Sequence, residues 1–135
     1  MVFGLFKKKP NKTQVALEVA SRSLGLQLAL ATAGAKHVEN DKFALGYLFG
    51  FHDGLLQVLN VSNQTEVLAI TAVSFHRLFD DQAIGAALLQ KCLKLQKDPG
   101  FRKGVMSGGQ EAVAFLRDKT PPMSLASHLQ TRAAQ

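Results

Sequence analysis

Three glycines at four-residue spacing, Gly46, Gly50 and Gly54, lie inside a stretch from Phe43 to Leu59 that is otherwise almost wholly apolar. No other feature limits so strongly what this chain can fold into. Residues four apart stack along one face of an α-helix. Each glycine in a helix interior costs about 1 kcal/mol relative to alanine. Three on one face therefore need compensation, and the simplest source is a second backbone lying close against that face. The rest of the helix surface carries Leu45, Leu48, Phe49, Leu55, Leu56 and Leu59. A helix apolar on nearly every side belongs at the centre of a bundle.

The pattern recurs. Phe43, Gly46, Gly50 and Asp53 are matched 58 residues later by Phe101, Gly104, Gly108 and Glu111. Both segments read Phe-x-x-Gly-x-x-x-Gly-x-x-acid, and both follow an aspartate by two or three residues. The repeat suggests an internal duplication. It gives two glycine-faced helices that pack on each other or on a second copy of the chain.

No segment shows the alternation of a strand, and the periodicity is helical throughout. The expected fold is all-α, a compact bundle of about five helices. Residues 1–10 form a basic and apolar arm ending at Pro10. Residues 11–119 form the bundle. Residues 120–135, from Thr120-Pro121-Pro122 onward, form a polar tail, because two prolines stop a helix. Within the bundle, a first helix is expected over 13–36, bent or split at Gly25, with a turn at 38–40. Further helices are expected over 42–59, capped by Asp41, and over 64–79, started by Asn63. A fourth runs from Asp80 or Asp81 to Lys97, and a fifth from Pro99 to Asp118, with proline at the first helical position. Short connections favour antiparallel neighbours.

The chemistry offered by the sequence is sparse. The single cysteine, Cys92, cannot form an internal disulfide and reads as a small buried hydrophobe. At the amino terminus, apolar residues precede Lys7, Lys8 and Lys9, the reverse of a secretory signal. No window reaches the roughly 18 uncharged apolar residues of a membrane span. These features point to the cytoplasm, with residues 1–9 as a contact for an anionic membrane surface.

His52 lies in the apolar face of its helix. The favoured reading is a core histidine bonded to a neighbouring group. The alternative is a ligand pocket in which Tyr47, His52 and Asp53 supply the polar groups. No metal-ligand spacing, nucleophile elbow or phosphate-cradling loop is present. No cofactor, metal or catalytic residue is therefore assigned, and the reading leans away from an enzyme.

The net charge of +6 is concentrated in two patches. One holds Lys7, Lys8, Lys9 and Lys12 with no acid. The other holds Lys91, Lys94, Lys97, Arg102 and Lys103 against Asp98. Patches of this kind suit particular partners, such as an acidic protein surface or phosphate groups. Sequence-specific DNA reading is not expected, since no base-reading side chains cluster on one exposed helix. The expected function is a non-catalytic helical interaction module. It would self-associate through Gly46, Gly50, Gly54, Gly104 and Gly108. The alternatives are a small-ligand-binding bundle and attachment to anionic membrane or nucleic acid through the basic patches.

Overall fold

Asparagine and aspartate side chains start most of the helices. In the computed structural model, which describes residues 11–133, seven helices form and no strand occurs among the described residues. They are α1 (Lys12–Leu30), α2 (Ala35–Glu39), α3 (Lys42–Val58), α4 (Gln64–Phe79), α5 (Gln82–Lys94), α6 (Pro99–Asp118) and α7 (Ser124–Ala133). Asn11, Asp41, Asn63, Asp81 and Asp98 each accept a hydrogen bond from the backbone N–H three residues on, at 2.7–3.0 Å. Each such cap is worth about 1 kcal/mol. None of these helices is long and apolar enough to cross a membrane.

The first helix breaks at a different place from the one expected. Gly25 lies inside α1, and a side chain there would meet nothing within 4 Å. The break comes at Thr32, which adopts φ 51°, the left-handed region. Ala33 N–H then reaches back to the Leu28 carbonyl at 2.9 Å and Thr32 N–H to that of Ala29 at 3.1 Å, closing the helix end. Position 38, expected in a turn, instead seats a buried Val38 on the short α2. The segment expected as a polar tail forms α7, which buries Leu125, Ala126 and Leu129.

The principal contact of the fold joins α3 to α6. A Cβ on Gly46 would fall within 3 Å of the Phe101 carbonyl, one on Gly50 within 3 Å of Val105 backbone, and one on Gly54 2.6 Å from the Gly109 oxygen. From the other side, Gly104 faces the Phe43 carbonyl and Gly108 that of Tyr47. Contacts advance along both helices in the same direction, so the two run parallel. Carbonyl oxygens sit against glycine α-carbons, the arrangement of Cα–H···O contacts.

Short connections cannot join parallel helices directly. The α4–α5 hairpin supplies the crossover that returns the chain to the start of α3. Its own seam is also tight, since a Cβ on Gly85 would lie 2.7 Å from the His76 nitrogen. Around this frame, α3 buries Leu45, Leu48, Phe51, Leu55 and Leu56, while α1 packs on α4 and α3.

Two glycine substitutions separate backbone approach from helix propensity. Gly50→Ala inserts a methyl into Val105 backbone and should lower stability by about 3 kcal/mol or more. Gly25→Ala meets open space and should raise it by about 0.5–1 kcal/mol. Thermal or urea unfolding of both variants checks the pair, and a Gly50→Ala protein as stable as the parent would refute the close-approach account.

Candidate functional site

Tyr47, His52 and Asp53 share one helix but point apart. At about 100° per residue, their side chains leave α3 separated by about 100–140°. Each meets a different neighbourhood.

Tyr47 is fully buried and faces α1, α6 and the start of α7. Its hydroxyl donates to Glu111 Oε1 at 2.6 Å and accepts from Gln27 Nε2 at 3.1 Å. Glu111 Oε1 also accepts from the Met123 and Ser124 N–H groups at 3.0 and 3.1 Å, and Oε2 accepts from the Ser124 hydroxyl. Gln27 Oε1 accepts from Ala126 N–H at 3.0 Å. Side chains from α1 and α6 thus satisfy the open N–H groups at the start of α7, the role a local cap plays elsewhere. Burial and the Glu111 carboxylate push the Tyr47 pKa above its usual value, the Gln27 bond only partly opposing them.

His52 is also buried, against α4. Nδ1–H donates to the Leu48 carbonyl at 2.6 Å, and the Ser74 hydroxyl lies 2.5 Å from Nε2, donating to it. A carbonyl only accepts, so the Leu48 bond fixes the tautomer. Phe75 packs edge-on at 5.4 Å. The histidine–serine pair resembles a base and nucleophile, yet both residues are sealed in the core. Burial pushes the His52 pKa down to about 4, with the Leu48 bond opposing.

Asp53 is half-buried and accepts from Gln57 Nε2 at 2.9 Å. It lines two surface grooves that neither Tyr47 nor His52 lines. The structure therefore does not assemble the three into one pocket. Nor does it bring Asp53 to Glu111. The two hold matching positions in the repeat and have unrelated partners.

The five glycines Gly46, Gly50, Gly54, Gly104 and Gly108 do come together, along the α3–α6 seam. Cys92 is buried 3.7 Å from the Leu45 carbonyl, and burial pushes its thiol up to about 12, which makes it unreactive. Among the basic residues, Lys91 donates to the Glu39 carbonyl at 2.6 Å. Lys94, Lys97, Arg102 and Lys103 are exposed. Lys7, Lys8 and Lys9 lie outside the described residues. No group of three or more His, Cys, Asp or Glu able to hold a metal occurs among the described residues.

A second charged cluster was not apparent from sequence. Asp41 is buried, yet its Oδ2 accepts from His128 Nε2 and Arg132 Nη1, both at 2.7 Å, while its Oδ1 caps α3. Burial alone would raise the Asp41 pKa; the bonds from Arg132, Ala44 N–H and His128 outweigh it and leave the group below its ordinary value. His128 is thus a half-buried partner on α7. The i, i+4 spacing of His128 and Arg132 was the available signal, but their acid lies 87 and 91 residues away.

No protein-family model, curated protein or solved structure matches this chain.

The buried polar groups set two expectations. His52 binds a proton more weakly folded than unfolded, so stability is full above pH 6.5 and falls as pH drops towards about 4. The ceiling is about 3 kcal/mol. Urea unfolding across that range should show the loss, and His52→Gln should flatten it; an equal slope in the variant would discard His52 as its origin. Tyr47→Phe leaves Gln27 and Glu111 each short of a partner and should cost about 1–3 kcal/mol in the same assay.

Proposed function

We propose that this chain is a non-catalytic helical module that binds an acidic surface of another protein at the corner where α5 meets α6. The observation that carries this reading is the company its lysines keep. Lys94, Lys97, Arg102 and Lys103 are exposed there, and two apolar side chains stand out among them, Leu93 at 45% and Met106 at 65% exposure. Met106 lies one helical turn beyond Arg102 and Lys103. The one acid of the segment, Asp98, is already engaged. It caps α6 through Phe101 N–H and pairs with Lys42 at 2.9 Å.

Exposed apolar groups on a surface where one sign of charge predominates are suited to recognition. The apolar groups gain by leaving water, and the charges steer an opposite partner and repel a like one. Two such corners oppose each other, so this surface favours a partner of opposite charge over a second copy.

The paired glycine helices bear on the other readings. The reciprocity of their contacts supports internal duplication. Gly46 facing Phe101 becomes Gly104 facing Phe43 under the 58-residue shift, and Gly50 facing Val105 becomes Gly108 facing Tyr47. Each glycine face is covered by the other, which moves the case for self-association elsewhere. Leu26 and Leu30, one turn apart on α1, and Met123 at the start of α7 are exposed and apolar. They are the alternative route, to a homo-oligomer.

Fluorescence anisotropy with a labelled glutamate- and leucine-rich peptide tests the acidic-partner reading. Binding should weaken with added salt and be lost when Lys94, Lys97, Arg102 and Lys103 are changed to glutamate. Unaltered binding in that variant would remove the proposal. Native mass spectrometry gives the oligomeric state separately. A dimer that survives the charge reversal and is lost in Leu26→Glu/Leu30→Glu would favour self-association.

A further inference from the structure

We infer that the pocket between the α1–α2 turn and the last turn of α7 binds a small organic anion. Its oxyanion head would meet Lys36, His37 and Arg132, and its apolar body would rest on Ala31, Ala33 and Leu129. The pocket holds about 520 Å³, within the range of small-molecule sites.

The argument rests on which polar groups there are already engaged. Among the described residues, the one acid lining the pocket, Asp41, has both oxygens occupied, Oδ1 by Ala44 N–H and Oδ2 by His128 and Arg132. It offers no free oxygen to a cation. The donors are not used up in the same way. Arg132 commits one Nη1 bond to Asp41, and a guanidinium has five N–H groups to give. His37 accepts the Gly34 N–H on Nδ1 at 3.0 Å, so its own proton lies on Nε2, the outer nitrogen, which donates. Lys36 has no ion-pair partner among the described residues.

Capping the end of α1 does not account for these donors. Basic side chains often gather at a helix C-terminus to satisfy its last carbonyls. At the end of α1 those carbonyls are already bonded. Gln27, Leu28 and Ala29 oxygens accept from Ala31, Ala33 and Thr32 N–H groups, and the Leu30 oxygen accepts from Gln130 Nε2 at 3.0 Å. Lys36 and His37 are therefore not needed as caps of α1. What remains is a concave site with an apolar floor, a neutralised acid and an excess of donors. Phosphate monoesters and carboxylates share the chemistry that such a site recognises.

The test uses the full-length ¹⁵N-labelled chain and three probes: phenyl phosphate, benzoate and, as a neutral control, benzyl alcohol. The two anions should give saturable amide shifts at residues 31–41 and 129–133, and benzyl alcohol should not. Lys36→Gln combined with His37→Gln should weaken the anions by at least about tenfold. Both side chains are exposed, and glutamine at position 37 keeps an acceptor for the Gly34 N–H, so the melting temperature should hold. Whichever anion binds more tightly identifies the head group. Absence of saturable shifts at about 10 mM probe would overturn the proposal. So would equal affinity in the double variant, which would mean diffuse attraction to a basic protein, or equal binding of benzyl alcohol, which would mean an apolar crevice only.

Discussion

The fold depends on backbone meeting backbone between α3 and α6. In most helix pairs, interlocking side chains hold the axes 8–10 Å apart. Here Gly46, Gly50 and Gly54 on one side, and Gly104 and Gly108 on the other, remove that spacer. Two consequences follow. The larger side chains of α3 are displaced to its other faces, where Leu45, Leu48, Phe51 and Leu55 serve as the shared core for the surrounding helices. The contact is also parallel, so the intervening chain must travel back to its starting end. The α4–α5 hairpin is the length of chain that this geometry demands, and Gly85 lets its two arms close tightly.

At the helix seams, glycine is used for what it lacks, a side chain, and not for its backbone freedom. No described glycine has positive φ. The left-handed positions, where glycine is usually favoured, are held by Thr32, Asn60, Asp80 and Lys119, each at or just beyond the end of a helix. A β-branched threonine is poorly suited to that conformation. It persists because the turn that it makes brings α2 round to seat Val38 in the core. Helix ends were thus made with less suitable residues, while Gly46, Gly50, Gly54, Gly85, Gly104 and Gly108 stand where a Cβ would collide.

This usage explains what could be read from sequence. Caps were legible because they are local: Asp41, Asn63 and Asp81 each bond to a backbone three residues on. The glycine faces were legible as faces, since spacing alone defines them, but their mutual orientation was not. The first helix was expected to run to residue 36 with its bend or split at Gly25, because Gly25 looks like a breaker and Thr32 does not. The helix α7 was read as a tail because its composition is polar and two prolines precede it. Its apolar residues Leu125 and Leu129 have helical spacing, yet what anchors them is distant: Glu111 and Gln27 hold its first turn and Asp41 its last. Tyr47, His52 and Asp53 looked like a group because they are close in sequence. On a helix, five- and six-residue steps turn side chains well away from one another.

The residues with the most reactive chemistry proved to be the least available. His52 and Ser74 form a hydrogen-bonded pair of the sort that activates a hydroxyl, but burial pushes the imidazole to a pKa of about 4, where it is a weak base, and no substrate reaches it. Tyr47 and Cys92 are driven the other way, towards their neutral forms, by the same desolvation. In each case the polar group is accepted into the core because a neighbour completes its hydrogen bonds, and that completion leaves little to offer a ligand. Capacity to bind therefore has to be sought where hydrogen-bonding groups exceed their partners. Among the described residues, two of the surfaces that meet that condition are the exposed α5–α6 corner and the pocket beside Lys36 and His37. Under the two proposals above, each would take an anionic counterpart, one broad enough to cover a corner and the other small enough to enter a pocket.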